Sequence, residues 1–224
     1  MTSHLMQIAL RALRDVWILA ADPKIGDFLG RVLCVLAPVL AYVGMQGVDN
    51  FRLTDQSLAD AALHTLWTGH FLHFTFEHFC WDAVMFTVLA LLLWREERWR
   101  LWAWLLLAAP LISVLLFITD PQLSEYRGLS ALDSMLYARL CGGLCLEKTR
   151  WQRWVFGILP LIGFLGKTIY EHLSGDILFV SDLGTGVVAL PLAHLFGFLW
   201  GGLWAIWSLR RSNGEQLRSS DLTI

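Results

Sequence analysis

Apolar residues in this chain gather into six long runs separated by short polar breaks, and they do not alternate at the spacing of a half-buried strand. The runs cover approximately 29–46, 74–94, 100–119, 129–146, 152–170 and 186–208, each near the ~20 residues that a helix needs to cross a bilayer. They predict an all-α membrane protein, a bundle of six transmembrane helices over residues 29–209. Ahead of it, residues 1–28 set Arg11 and Arg14 among Leu and Ile, which predicts an amphipathic helix on the cytoplasmic membrane surface. No small-residue cleavage site follows, so this segment is expected to be retained. Residues 210–224 form a polar cytoplasmic tail.

Composition narrows the class further. A chain of 224 residues that is 56% hydrophobic and holds 12 Trp is not an ordinary soluble domain, and the lipid bilayer is its first partner. A net charge of −2 excludes nucleic acid as a partner. Cys34, Cys80, Cys141 and Cys145 all fall in apolar stretches. Cys141 and Cys145 share a helix face without two further ligands, so free thiols are predicted. Of the 17 Lys and Arg, 13 sit in the N-terminal segment, the 95–100 turn, the 148–153 turn and the tail. That bias places both termini in the cytoplasm. Trp94, Trp99, Trp151, Trp154 and Trp207 gather at the same edge and are expected to anchor it at the interface.

Two polar residues stand out inside these runs. Ser130 opens the fourth and His194 lies within the sixth, and ionisable groups at membrane depth are candidates for function. A serine and a histidine are also the smallest set for nucleophilic catalysis. Helices two, four and six run in the same direction, so depths can be counted from their cytoplasmic ends. Ser130 precedes Lys148 by 18 residues, His194 precedes Arg210 by 16 and His78 precedes Arg95 by 17. At 1.5 Å per residue, all three reach a level roughly 24–27 Å from that edge. Gly197 and Gly201 form a small-xxx-small face that would let helix six approach helix four closely.

These residues also carry a resemblance. The run from His73 through His78 to Asp82 resembles the H-x4-H-x3-N segment of rhomboid intramembrane serine proteases. Gly128-Leu129-Ser130-Ala131 resembles their G-x-S-G motif, and Ala193-His194-x-x-Gly197-x-x-x-Gly201 resembles A-H-x-x-G-x-x-x-G. The run Tyr126-Arg127-Gly128-Leu129-Ser130 and Lys167-x-x-Tyr170-Glu171 look closest to the rhombosortase branch. The resemblance covers about residues 29–208. It implies a multi-pass enzyme of the bacterial inner membrane whose site opens to the periplasm. Ser130 would be nucleophile and His194 general base and acid, without a third acid. The Ser130 amide and His78 would hold the oxyanion, with Gly128, His73 and Asp82 in support. The implied substrate is a membrane-anchored protein with a single transmembrane segment and a C-terminal Gly-Gly-type sorting tail. No cofactor and no metal are expected.

Departures from that pattern leave alternatives open. Asp82 stands where the rhomboid segment has Asn, either as a neutral hydrogen-bond donor or as a structural partner facing helix four. Ala131 replaces a glycine, a small change. Asp133 is six residues from Arg139, so a partner on another helix is expected. His64 and His70 fall in or beside the outer loop, where solvated rings are expected, and His172 is expected in a loop. Arg127 and Glu171 either recognise a substrate tail or stabilise loops, and loops are the favoured reading. A catalytically inactive relative that binds transmembrane clients is the alternative function.

Overall fold

The computed structural model describes residues 22–147, 149–175, 178 and 190–221. The surface helix expected over the first 20 residues lies outside them. Among the described residues eight α-helices follow in order: α1 (Pro23–Met45), α2 (Asp55–Ala59), α3 (Thr65–Thr68), α4 (Phe76–Glu97), α5 (Trp99–Thr119), α6 (Ser130–Leu144), α7 (Arg150–Ser174) and α8 (Pro191–Asp221). A two-residue ladder pairs β1 (Leu53–Thr54) antiparallel with β2 (Glu125–Tyr126). Helix α1 starts ahead of its predicted position because Asp22 caps it. The Asp22 carboxylate accepts from the amides of Lys24 at 2.8 Å and Ile25 at 3.2 Å, and Pro23 fills the first turn.

Among the described residues five helices, α1, α4, α5, α7 and α8, are long and apolar enough to cross a membrane. The expectation of six is corrected at α6. This helix has only 15 residues, or about 22 Å at 1.5 Å per residue, which falls short of a bilayer core. It lies inside the bundle, burying Ala131–Leu136 as an unbroken run. The longer helices keep one apolar stripe inside and one outside. On α5, Leu101, Leu105, Ala108, Ile112 and Leu116 are buried at helical spacing while Leu107, Leu111, Val114 and Ile118 are exposed. A helix apolar on both faces suits lipid on the outer one.

Two ion-pair clusters close the bundle. At the end remote from Ser130, Arg139 of α6 donates to Glu97 of α4 at 2.9 and 2.5 Å, and to Glu96 at 3.2 Å. Trp94, expected at an interface, is fully buried there. Its indole N–H donates to Asp27 at 2.9 Å, and the ring lies where a Cβ on Gly30 would stand. At the end that carries Ser130, Arg52 grips Glu125 through two hydrogen bonds of 2.7 and 2.6 Å, next to the β1–β2 ladder. Arg127 donates to the same carboxylate at 2.7 Å. The segment between α1 and α4 is thereby fastened to the segment that leads into α6.

His70 is the central peg of that fastening, and the solvated ring expected here is corrected. The ring is completely buried, with Nε2 3.0 Å from Ala109 O and 3.0 Å from Ser113 Oγ. Burial pushes its pKa down to about 4. The unfolded chain therefore takes up a proton near pH 6.5 that the fold refuses. The stability contributed by the neutral ring is complete above pH 6.5 and is lost as pH falls towards 4, on the order of 3 kcal/mol in all. Thermal midpoints in detergent should drop over that window in the wild type and drop less in His70→Gln. Parallel curves would rule the effect out.

Candidate active site

Ser130 is the first residue of α6, so the turn before it decides where its hydroxyl stands. Gly128 holds φ +130°, a conformation that side chains oppose. A Cβ there would come within 3.0 to 3.3 Å of His78 Cε1, His78 Nε2 and Asp82 Oδ2. Glycine thus lets the chain pass flush against α4. The Tyr126 hydroxyl donates to Gly128 O at 2.9 Å and also interacts with the Ser130 hydroxyl. Ser130 itself is partly exposed. Because it begins a helix, the amides of its turn have no acceptors within the helix and carry the positive end of the helix dipole. That is a ready place for an anion.

Facing this turn is a buried cluster of three. Nε2 of His73 lies 3.1 Å and Nε2 of His78 lies 3.2 Å from the same oxygen of Asp82. Leu129 N, at the entrance to α6, is 3.4 Å from His73 Nε2. Burial pushes the His73 imidazole below its ordinary range, with Asp82 pulling the other way. The three ligand-type atoms lie within 4.8 Å of one another. Two imidazoles and a carboxylate are the residues here that could hold a divalent metal, a donor set of zinc type. Their shared contact equally fixes the His78 ring against Gly128.

Asp133, one turn into α6, is buried, and its Oδ1 has no hydrogen-bond partner among the described residues. Arg139, on the same helix, pairs with Glu97, and the partner expected for Asp133 on another helix is not found for this oxygen. The charged group that acts on Asp133 is Asp82.

His194 arrives from α8. A Cβ on Gly197 would stand 1.9 Å from Ala131 O, and one on Gly201 would stand 2.1 Å from Met135 O. Backbone therefore lies on backbone. Both contact points advance by four residues along each helix, so α6 and α8 run parallel in a fixed register. Ser130 comes one residue before its contact and His194 three before its own, a difference in height of about 3 Å. Among the described residues no hydrogen bond joins the Ser130 hydroxyl to His194. Such contacts are often loose before substrate binds.

Glu171, read from sequence as a loop residue, is instead buried in the last turns of α7 beside His194. Its Oε2 lies 3.5 Å from His194 Nδ1. A carboxylate within an apolar run belongs to the same class of signal that singled out His194, and the sequence displayed it. His172 sits in the same helix, exposed, and not in a loop. The fold thus brings Gly128, Ser130, His73, His78 and Asp82 into one cluster, with His194 set alongside through Gly197 and Gly201.

No family model and no curated protein matches this chain. What the site can do has to come from its own chemistry and from the motifs around Ser130 and His194.

Proposed function

We propose that the chain is an intramembrane serine peptidase that cuts membrane-anchored proteins near the outer leaflet. The observation that carries this reading is the glycine contact between α6 and α8, which sets a serine at a helix start level with an imidazole across a close backbone interface. In the reaction, Ser130 Oγ bonds to the peptide carbonyl carbon and its proton passes to His194. The first-turn amides of α6 and the His78 ring receive the oxyanion. The C–N bond then breaks, His194 returns the proton to the leaving amine, and water releases the acyl group from Ser130.

Asp82 supports this site as the anchor of the His78 ring. The substrate is a single transmembrane segment, and the resemblance points to one with a Gly-Gly-type tail. The distribution of Lys and Arg supports cytoplasmic termini and a site that opens on the periplasmic side of a bacterial inner membrane.

The test uses the purified full chain with a fluorescently labelled single-span protein bearing a Gly-Gly tail, and with a fluorophosphonate that labels activated serines. Wild type is expected to cleave and to be labelled at Ser130. Ser130→Ala and His194→Ala should each lose at least about 10³-fold in rate. Cleavage that survives both substitutions would overturn the mechanism. Tight binding of the span with no cleavage and no labelling would identify a client-binding protein instead.

A further inference from the structure

Three features compete as sources of further chemistry, and they differ in how much they explain. The Arg139 cluster is fully accounted for as a lock between α4 and α6. The His73–His78–Asp82 cluster belongs to the site already described. Glu171 does not: nothing in a Ser–His pair requires a buried carboxylate behind the histidine.

We propose that Glu171 is a positioning carboxylate for His194, which makes the site a Ser130–His194–Glu171 array instead of a dyad. The inference rests on the peptidase reading given above. Glu171 is 1% exposed and His194 Nδ1 is buried, with no hydrogen-bond partner among the described residues. Among the described residues the carboxylate facing that nitrogen is Glu171, whose Oε2 stands 3.5 Å away. A small tilt of the ring turns this approach into an Nδ1–H to carboxylate hydrogen bond. The proton would then be held on Nδ1 and Nε2 left bare, the tautomer a general base needs.

The carboxylate is itself held on every side. Lys167, one turn earlier on α7, donates to both oxygens at 2.7 and 2.6 Å, and the Leu178 amide donates to Oε1 at 3.0 Å. The Leu178 bond fixes the acceptor before the histidine takes up charge, which is what preorganisation means at such a site, while the lysine balances the buried charge. Lys167 also sets the size of the effect. Its charge offsets part of the field of Glu171 at His194, so the loss on removing the acid should be smaller than in a site where the acid has no cation beside it.

A purely structural Lys167–Glu171 pair predicts something different, and that difference is the test. With the purified full chain, fluorophosphonate labelling yields the saturated labelling rate and the concentration for half-saturation, and cleavage of the single-span probe yields kcat and KM. Glu171→Gln keeps the size of the side chain and its acceptor for Leu178. It should lower kcat and the saturated labelling rate by about 10²-fold with KM and half-saturation within about twofold. Lys167→Met removes the same ion pair but leaves the acid facing His194, and should keep kcat within about threefold.

A kcat for Glu171→Gln within about threefold of wild type, with Ser130 and His194 still essential, overturns the positioning role and leaves the peptidase reading intact. Equal losses in Glu171→Gln and Lys167→Met also overturn it, because they assign the effect to the ion pair. Should Glu171→Gln fail to fold, Glu171→Asp decides. Drawing the carboxylate back by one methylene should cost about tenfold in kcat with KM unchanged, and a loss no larger than that of Lys167→Met overturns the proposal. A wild type that neither cleaves nor labels overturns both readings together.

Discussion

Gly197→Val is expected to unseat α8 from α6 and to lower stability by about 3 kcal/mol or more. The reason is the atom that the new side chain meets. A Cβ at 197 falls 1.9 Å from a backbone carbonyl oxygen and 2.8 Å from its carbon, and backbone has no rotamer with which to yield. The two helices would have to part by roughly 1.5 Å to regain ordinary contact, and every buried neighbour along the seam loses packing with them. Gly202 supplies the control on the same helix. A Cβ there meets nothing within 4 Å, so Gly202→Ala should be neutral or slightly stabilising through helix propensity. Thermal midpoints of the purified variants in one detergent decide the matter. A Gly197→Val midpoint equal to that of Gly202→Ala would mean that the interface gives way without cost. Activity should follow the same order, since any separation of α6 from α8 is also a separation of Ser130 from His194.

The second large effect lies at the far end of α6. Arg139→Met should destabilise by about 3 kcal/mol, because it leaves the buried Glu97 with the more exposed Arg100, 3.5 Å from its Oε2, in place of a buried bidentate cation. Glu97 is 3% and Arg139 5% exposed, and the guanidinium also lies 5.7 Å from the Trp204 ring. The double variant Glu97→Leu with Arg139→Met should recover most of that loss, since a matched apolar pair removes both desolvation costs at once. Chemical unfolding in mixed micelles, compared across the two single variants and the double, reads the coupling. Additive losses in the double variant would show that the pair is not the source of the penalty.

How much of this was legible in the sequence depends on what each signal measures. Hydropathy reports how apolar a stretch is, and it placed α4, α5 and α7 well, since lipid and core both select apolar residues there. It does not report neighbours. Trp94 carries the interfacial signature yet lies under Gly30 with its N–H on Asp27, a contact between segments 67 residues apart. His70 reads as a loop histidine, but the loop folds inward over α5. The length of α6 was obscured because apolar residues continue to Leu146, beyond the turn that begins at Cys145. The start of α1 was readable from Asp22-Pro23 and was overridden by the apolar count.

The candidate site divides along the same line. Ser130, His194, Gly197 and Gly201 were visible because each is out of character for its surroundings. Asp82 was visible as an oddity, but its two imidazole neighbours on a single oxygen were not. Glu171 was visible as a residue and misread as a place. The loop reading placed it outside, and only the packing of α7 against α8 turns it inward to His194.

The shortness of α6 has a consequence for how the protein is made. A segment of 15 residues that carries Asp133, Ser134 and Arg139 has little affinity for lipid, since a carboxylate or guanidinium at mid-membrane opposes insertion by about 2.5–3.5 kcal/mol each. It cannot be handed to the bilayer as an independent stretch in the way α5 can. Arg139 finds its partners on α4, which is synthesised earlier, and the backbone of α6 lies against α8, which is synthesised later. The order of synthesis therefore leaves the helix that begins at Ser130 incompletely housed until α8 emerges from the ribosome. The serine and the histidine can first meet only once that helix has packed against α6.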